Sequence, residues 1–344
     1  MKAIILAGGY AKRFWPVTRD KPKPLLPIAG KPIIDLIMDK IEQVPEVNTV
    51  YLSTNEAFAE QFQQWAEQRK TEKRIELVVE PSKKESEKFG SLGALEYIIR
   101  RKKLKSDLLV LAGDNIFSFD LNKFIDSYRD EPRIIVHNMH DRQRCRRYGV
   151  VSLGKDMKIT DFEEKPREPK STLVSTACYV FPKDTLKLFK EYKSKDKPLD
   201  NMGSFLEWLY KRTTVRGYIT EGFWYDIGDK HFYIQANKQA MQKKQNGSIL
   251  LGKKQHSRIN RSYVGKESFI KNSALKDCVV FGNVHIENCA LRECIIDDHS
   301  RLVNVDLNDS LIGAYTKLNK RKIIKSRRFF LPPVTGQEIL NPGD

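Results

Sequence analysis

The chain has 344 residues, of which 40% are hydrophobic and 31% charged, and a formal net charge of +17. This length suits two domains at about 150 residues each, and the composition is that of an ordinary globular protein. Apolar runs fall well short of the roughly 20 residues of a membrane span, and five cysteines without CxxC spacing argue against a disulfide frame or a zinc site.

The first strand starts at residue 2 and leaves no room for a leader, so a cytoplasmic protein without membrane contact is expected. Basic runs lie at Arg100–Lys103, Arg142–Arg147 and Lys320–Arg328. They lack interleaved aromatics and zinc-finger spacing. They read as solvated faces that steer anionic substrates, and nucleic acid is not an expected partner.

Lys2–Leu6 (KAIIL) is short, apolar and β-branched, as a buried parallel strand requires. Gly8 and Gly9 follow, and without a Cβ they permit a sharp turn and a close approach by a ligand. Arg13, Lys21 and Lys23 then bring cations to a place where amides point outward, which suits a polyphosphate. Strand signals at 49–53, 75–79 and 107–112 alternate with helical spacing at 33–44, 56–70 and 90–103. That alternation predicts an open, largely parallel sheet with its ligands at the strands' carboxyl ends. After residue 133 the strands crowd together (133–139, 148–153, 158–163, 172–181), and helices at 183–193 and 203–212 follow. A mixed sheet with a substrate-side portion is expected.

The last third changes period. Ile259, Leu275, Leu291 and Leu307 recur every 16 residues, as do Val264, Val280, Ile296 and Ile312, and Ile270, Ile286, Leu302 and Leu318. Three interleaved aliphatic series, five or six residues apart, predict a three-sided left-handed parallel β-helix of about four turns. Residues 321–344 carry Phe329, Phe330 and Leu331 and read as a tail that packs on a neighbouring surface.

The string LAGGYAKRFWPVTRDKPKPLLPIAGKP at 6–32 resembles the signature of the sugar-1-phosphate nucleotidylyltransferases, roughly LAGGxGxRxxPxT…PKPLLPIxGKP. One departure is Ala11 in place of the third glycine, which leaves the loop intact provided the position does not need a positive φ. The resemblance implies an α/β fold, with a Rossmann-like mixed sheet over 1–245, a short β-helix over 246–320 and a tail beyond. It also implies Mg2+ as cofactor, and an NTP and a sugar 1-phosphate as substrates. Homo-oligomerisation through the β-helix is expected too.

In the residues that match, Arg13 and Lys23 would be catalytic, and Leu6, Ala7, Gly8 and Gly9 would hold the nucleotide. Gly90 and Ser91, in GSLGA, resemble the family's GTAGA, whose backbone reads the base at a helix start. Glu80 stands where thymidylyl and uridylyl enzymes carry Gln. A carboxylate only accepts hydrogen bonds, which suits guanine, and residues 82–89 read as an insertion able to displace it. Asp114 in LAGDNIF and Asp226 in WYDIGD, just before a helix near Asp229, match the metal positions. Gly149, Glu164 and Lys165 resemble the sugar-phosphate elements, Lys165 lying in the EKP motif. Ser175 and Ala177 replace the Asn and Gly of NTGIY.

Glucose 1-phosphate with dTTP or UTP is the expected substrate pair, and mannose-1-phosphate guanylyl transfer is the alternative. A non-catalytic subunit of a translation-initiation exchange factor shares the fold and is a rival reading. A bifunctional enzyme whose β-helix also transfers acyl groups would carry a longer coil than these four short turns, although His285 and His299 are present.

Overall fold

The computed structural model describes residues 1–193 and 199–319, and the backbone of Ile324–Lys325. The tail bearing Phe329, Phe330 and Leu331 lies outside the described residues. Two compact units emerge: Met1–Tyr10 with Ile33–Asp226, and Ala11–Pro32 with the chain from Ile227 onward. Among the described residues no helix is long and apolar enough to cross a membrane.

The first unit is built on a nine-stranded mixed sheet. Lys2–Leu6 runs parallel to both Thr49–Asn55 and Leu108–Ala112, and Thr49–Asn55 pairs in turn with Arg74–Glu80. Lys2–Leu6, Thr49–Asn55 and Leu108–Ala112 are buried on both faces, as central parallel strands are, while the edge strand Arg74–Glu80 leaves Arg74 and Val79 exposed. Leu6, Ser53 and Ala112 lie level in the register, so the carboxyl ends of three strands open side by side.

Beyond Leu108–Ala112 the sheet turns antiparallel through Leu173–Phe181, Gly149–Leu153 and Ile159–Glu164. Arg133–Asn138 also pairs with Leu173–Phe181, and Arg216–Thr220 forms the edge beside it. The register of Leu173–Phe181 shifts between Ser175 and Tyr179, where Ala177 takes φ +57°. Helices Ile33–Glu42, Ala59–Gln68, Gly90–Arg101, Leu186–Lys193 and Met202–Leu209 fall where the apolar spacing put them. A stack of Phe181, Phe189, Tyr192, Phe205 and Trp208 fills the core beside the last two.

In the second unit three parallel five-stranded ladders form the left-handed β-helix. Each aliphatic series of the sequence lines one side, in register: Leu275 over Ile259, Val280 over Val264 and Ile286 over Ile270. A short rung of this kind needs sharp corners, and each corner places one non-glycine residue at positive φ. His256, Asn272, Asn288 and Asn304 form one such column, with φ of 46 to 53°. Asparagine tolerates this region because its side chain bonds locally. Along the column the Asn272 amide donates to Asn288 Oδ1 at 3.2 Å, and the Asn288 amide to Asn304 Oδ1 at 3.0 Å.

One side differs from the three-series picture. Tyr263, Val279, Ile295 and Leu311, which point outward, are as buried as their inward neighbours. Residues 11–32 pack here: Gly30 faces the Tyr263 ring, and Pro16 lies against Gly313. Ile286 is fully buried at the centre of the stack. Ile286→Ala is expected to cost about 2–5 kcal/mol, measured by chemical denaturation.

Candidate active site

The glycine turn sits on the open strand ends. Ala7 N–H donates to Ser53 O at 3.0 Å and Gly113 N–H to Leu6 O at 2.8 Å, which locks the three strand ends together. Asn55, fully buried, donates from Nδ2 to Gly8 O at 3.0 Å, while its Oδ1 caps the turn at Phe58. A Cβ on Gly8 would come within 2.5 Å of Glu80 Oε1, so a side chain there would have to displace the Glu80 carboxylate; a Cβ on Gly9 would meet nothing within 4 Å. Gly9 therefore faces open space, where a ligand can approach.

Glu80 stays in place. It pairs with Asn55 at the last position of its strand, is 2% exposed, and accepts a hydrogen bond from the Ser53 hydroxyl. Burial raises its carboxyl pKa, against the opposing effect of Ser53. The segment after it folds locally instead of displacing it. Ser82 N–H bonds Glu80 O at 2.7 Å, Tyr10 OH donates to Ser82 O at 2.9 Å, and Glu56 N–H also reaches Ser82 O.

At the start of the helix Gly90–Arg101, Gly90 takes φ +72°, and a Cβ there would meet the backbone of Asp200 at 2.4–2.7 Å. Ser91 N–H donates to Asp200 O and Gly93 N–H to Leu199 O, each at 3.0 Å, and Ser91 Oγ accepts from Met202 N–H. These helix-start groups thus hold the 199–202 segment.

Asp114 follows the strand Leu108–Ala112, two residues past its end. Asn115–Phe117 pairs antiparallel with Trp224–Asp226, with Asn115 opposite Asp226. The pairing puts Asp226 opposite the residue that follows Asp114, past the carboxyl end of Leu108–Ala112. Buried Asn115 fixes the hairpin by donating to Thr176 O at 2.7 Å. Two carboxylates are a hard-oxygen pair, the set Mg2+ takes when phosphate oxygens and water complete its shell. Among the described residues no group of three or more His, Cys, Asp or Glu gathers, so a complete protein cage is not offered.

The Glu164 side chain threads between two glycines. A Cβ on Gly149 would sit 3.1 Å from its Oε2, and a Cβ on Gly203 only 1.9 Å from it. Burial raises the Glu164 pKa, against the pull of Lys165, whose Nζ stands 3.4 Å from Oε1. Lys165 takes φ +51°, donates its N–H to Tyr148 O at 3.0 Å, and leaves its ammonium half-exposed. Ser175 is buried beside the Tyr179 hydroxyl. Gly203→Ala is expected to push Glu164 aside and cost about 1–3 kcal/mol of stability, as read by chemical denaturation.

The basic loop belongs to the second unit. Ala11 sits at φ 47°, ψ 40°, ahead of the turn Lys12–Phe14, so the position does require a positive φ. Alanine is accepted there at a cost of roughly 1–2 kcal/mol. Ala11 O draws in Phe14 N–H at 2.9 Å and Thr18 Oγ1 at 2.8 Å. Arg13 lies exposed on that turn, and Lys23, half-buried, opens the turn Lys23–Leu25. Lys21, which the sequence groups with the phosphate-seeking cations, instead bonds Asp297 Oδ1 at 3.0 Å and Asp298 Oδ2 at 2.6 Å.

Ser53 and Asn55 are site residues that the sequence reading missed. Their signal was a polar Ser-Thr-Asn end on an otherwise apolar buried strand. A cavity of about 570 Å3, lined by Arg129, Glu131, Arg133, Arg216 and Tyr218, opens at the edge strand and contains none of the expected site residues.

A family model described as "Nucleotidyl transferase" matches residues 2–243. The bifunctional protein GlmU of Methanocaldococcus jannaschii is 29% identical over 71% of this chain and 55% of its own length. A Sulfolobus acidocaldarius protein provisionally named mannose-1-phosphate guanyltransferase is 31% identical over 70% of this chain and 63% of its own. The matched part thus spans a little over half the length of these relatives. A crystal structure of a Bacillus anthracis protein, provisionally a glucose-1-phosphate thymidylyltransferase, superimposes with a TM-score of 0.60 at 25% identity. It covers 74% of this chain and 98% of the other.

Proposed function

Because the chain belongs to the nucleotidyl transferase family, we propose that it makes an NDP-sugar and pyrophosphate from an NTP and a hexose 1-phosphate. The observation that carries this reading is the pairing of Asp226 with Asn115, the residue that follows Asp114. When bound there, Mg2+ would neutralise phosphate charge during attack on the α-phosphorus. The chain's own residues do the rest. The Gly8–Gly9 turn admits the nucleotide without a side chain in its way. Arg13 and Lys23 balance the charge that builds on the departing pyrophosphate. Lys165 holds the sugar phosphate, and Glu164 accepts hydrogen bonds from sugar hydroxyls. No side chain needs to act as a nucleophile, since the sugar phosphate oxygen attacks directly.

For the base, the position of Glu80 favours GTP over the pyrimidine nucleotides. Buried and turned toward Gly8, an ionised carboxylate can accept from guanine N1–H and N2–H2, whereas it only repels a pyrimidine O4. A matrix of five NTPs against common hexose 1-phosphates, with pyrophosphate as the readout, tests both choices. The expected result is release with GTP and a hexose 1-phosphate. Silence across the whole matrix would favour a non-catalytic relative.

A further inference from the structure

Two acids are buried among the described residues of the β-helix: Asp277, which pairs with Arg261 and Lys238, and Asp297. Asp297 stands at the ladder position taken by Gly265, Phe281 and Gly313 in the other rungs, and it is 3% exposed. Asp298 follows it at the position of Gly282. A stack held by apolar side chains gains nothing from a buried acid, because removing a carboxylate from water costs more than the rung returns.

The acids face Lys21. Asp298 accepts from Gly282 N–H at 2.8 Å through Oδ1 and from Lys21 through Oδ2, so it is held from the coil side before it meets the lysine. Asp297 Oδ1 accepts both from Asp298 N–H at 2.8 Å and from Lys21. The Lys21 ammonium also lies 5.0 Å from the centre of the Phe281 ring, one rung back. Burial pulls the Lys21 pKa down, but the two carboxylates outweigh it and the ammonium stays above its ordinary value. Its charge is spent on the coil.

Lys21 is joined to Lys23 by Pro22, and Pro24 follows; both prolines are buried. Proline fixes φ near −65° and restricts the residue before it, so Pro22 and Pro24 narrow the backbone freedom on either side of Lys23. Elsewhere the loop has independent attachments in the same unit: Ala29 N–H to Asn237 Oδ1 at 2.8 Å, the Tyr233 hydroxyl to Pro27 O, and Phe14 against the Tyr233 ring at 5.3 Å. These attachments do not involve Lys21, so cutting its tie is expected to loosen the stretch around Lys23 and leave the rest of the segment held.

We infer that Asp297 and Asp298 are positioning residues for nucleotidyl transfer, holding Lys23 in place through Lys21. This inference rests on the reading of residues 11–32 as the triphosphate-gripping loop.

The test is a cycle of D297N/D298N, K21M and the combined variant in the full chain. It is read by kcat and KM for the NTP and by hydrogen exchange of the peptide covering 11–32. Each single arm is expected to lower kcat/KM for the NTP about tenfold to a hundredfold, the scale of a misplaced catalytic group. K21M should add no further loss in the D297N/D298N background, and exchange in 11–32 should quicken in all three variants.

An equal K21M loss in both backgrounds would overturn the inference, since Lys21 would then act on the substrate itself. Full kinetic competence of D297N/D298N would also overturn it. Exchange decides the case even if the wild-type chain transfers nothing. The proposed function would then fail, and unchanged protection across 11–32 in D297N/D298N would sink the positioning role separately.

Discussion

Asp226→Ala and Asp114→Ala are each expected to lower kcat for NDP-sugar formation by about a thousandfold. A divalent ion that neutralises transferring phosphate contributes several kcal/mol to the transition state, and each 1.36 kcal/mol is a decade in rate. Both residues are half-buried at the strand ends, so the melting temperature should move by only a few degrees. Each variant should also lose the rise in activity with added Mg2+. Pyrophosphate release measured across a magnesium titration checks this. Full magnesium-dependent activity in both variants would refute the metal assignment.

Glu80→Gln is expected to swing base preference from guanine toward uracil and thymine by about 10²–10⁴ in the ratio of kcat/KM values. A site built to hydrogen-bond one edge strongly rejects a base that leaves its buried group unpaired. Gln keeps the shape but offers one acceptor and one donor, the complement of a pyrimidine's N3–H and O4. The pH dependence has a definite sign. Burial raises the Glu80 pKa, so as pH falls through that raised value the group takes up a proton and itself becomes a donor. The wild-type ratio of GTP to dTTP use should then fall with falling pH, while the Gln variant shows no such dependence. A flat wild-type ratio together with an unchanged preference in Glu80→Gln would remove Glu80 from base reading.

Much of the fold was legible in the sequence because its signals are local and periodic. The strand at 108–112 is an unbroken apolar run, those at 49–55 and 74–80 carry apolar clusters between polar ends, and the coil repeats its aliphatics on a fixed interval of 16. The edge strand Arg216–Thr220 escaped notice because RGYIT has no apolar run, its neighbour supplying the pairing. The fourth buried series of the coil was present as Tyr263, Val279, Ile295 and Leu311, but a surface series looks no different until something packs on it.

The site was legible where one motif contains all its parts, and misleading where a partner is remote. Lys21 looked like its neighbours Arg13 and Lys23, yet Asp297 and Asp298 lie 276 and 277 residues away. Ala11 is a similar case. Nothing in an alanine announces a left-handed backbone, and only the turn around Phe14 and Thr18 reveals it.

The central claim is that this chain joins a nucleotide to a sugar phosphate, and phosphorus NMR of a reaction containing Mg2+, GTP and a hexose 1-phosphate tests it most directly. The expected spectrum gains the diphosphate doublets of an NDP-hexose and free pyrophosphate in equal amounts, and only when both substrates are present. Nucleotide breakdown without the sugar phosphate, or unchanged spectra with all five NTPs, would contradict it.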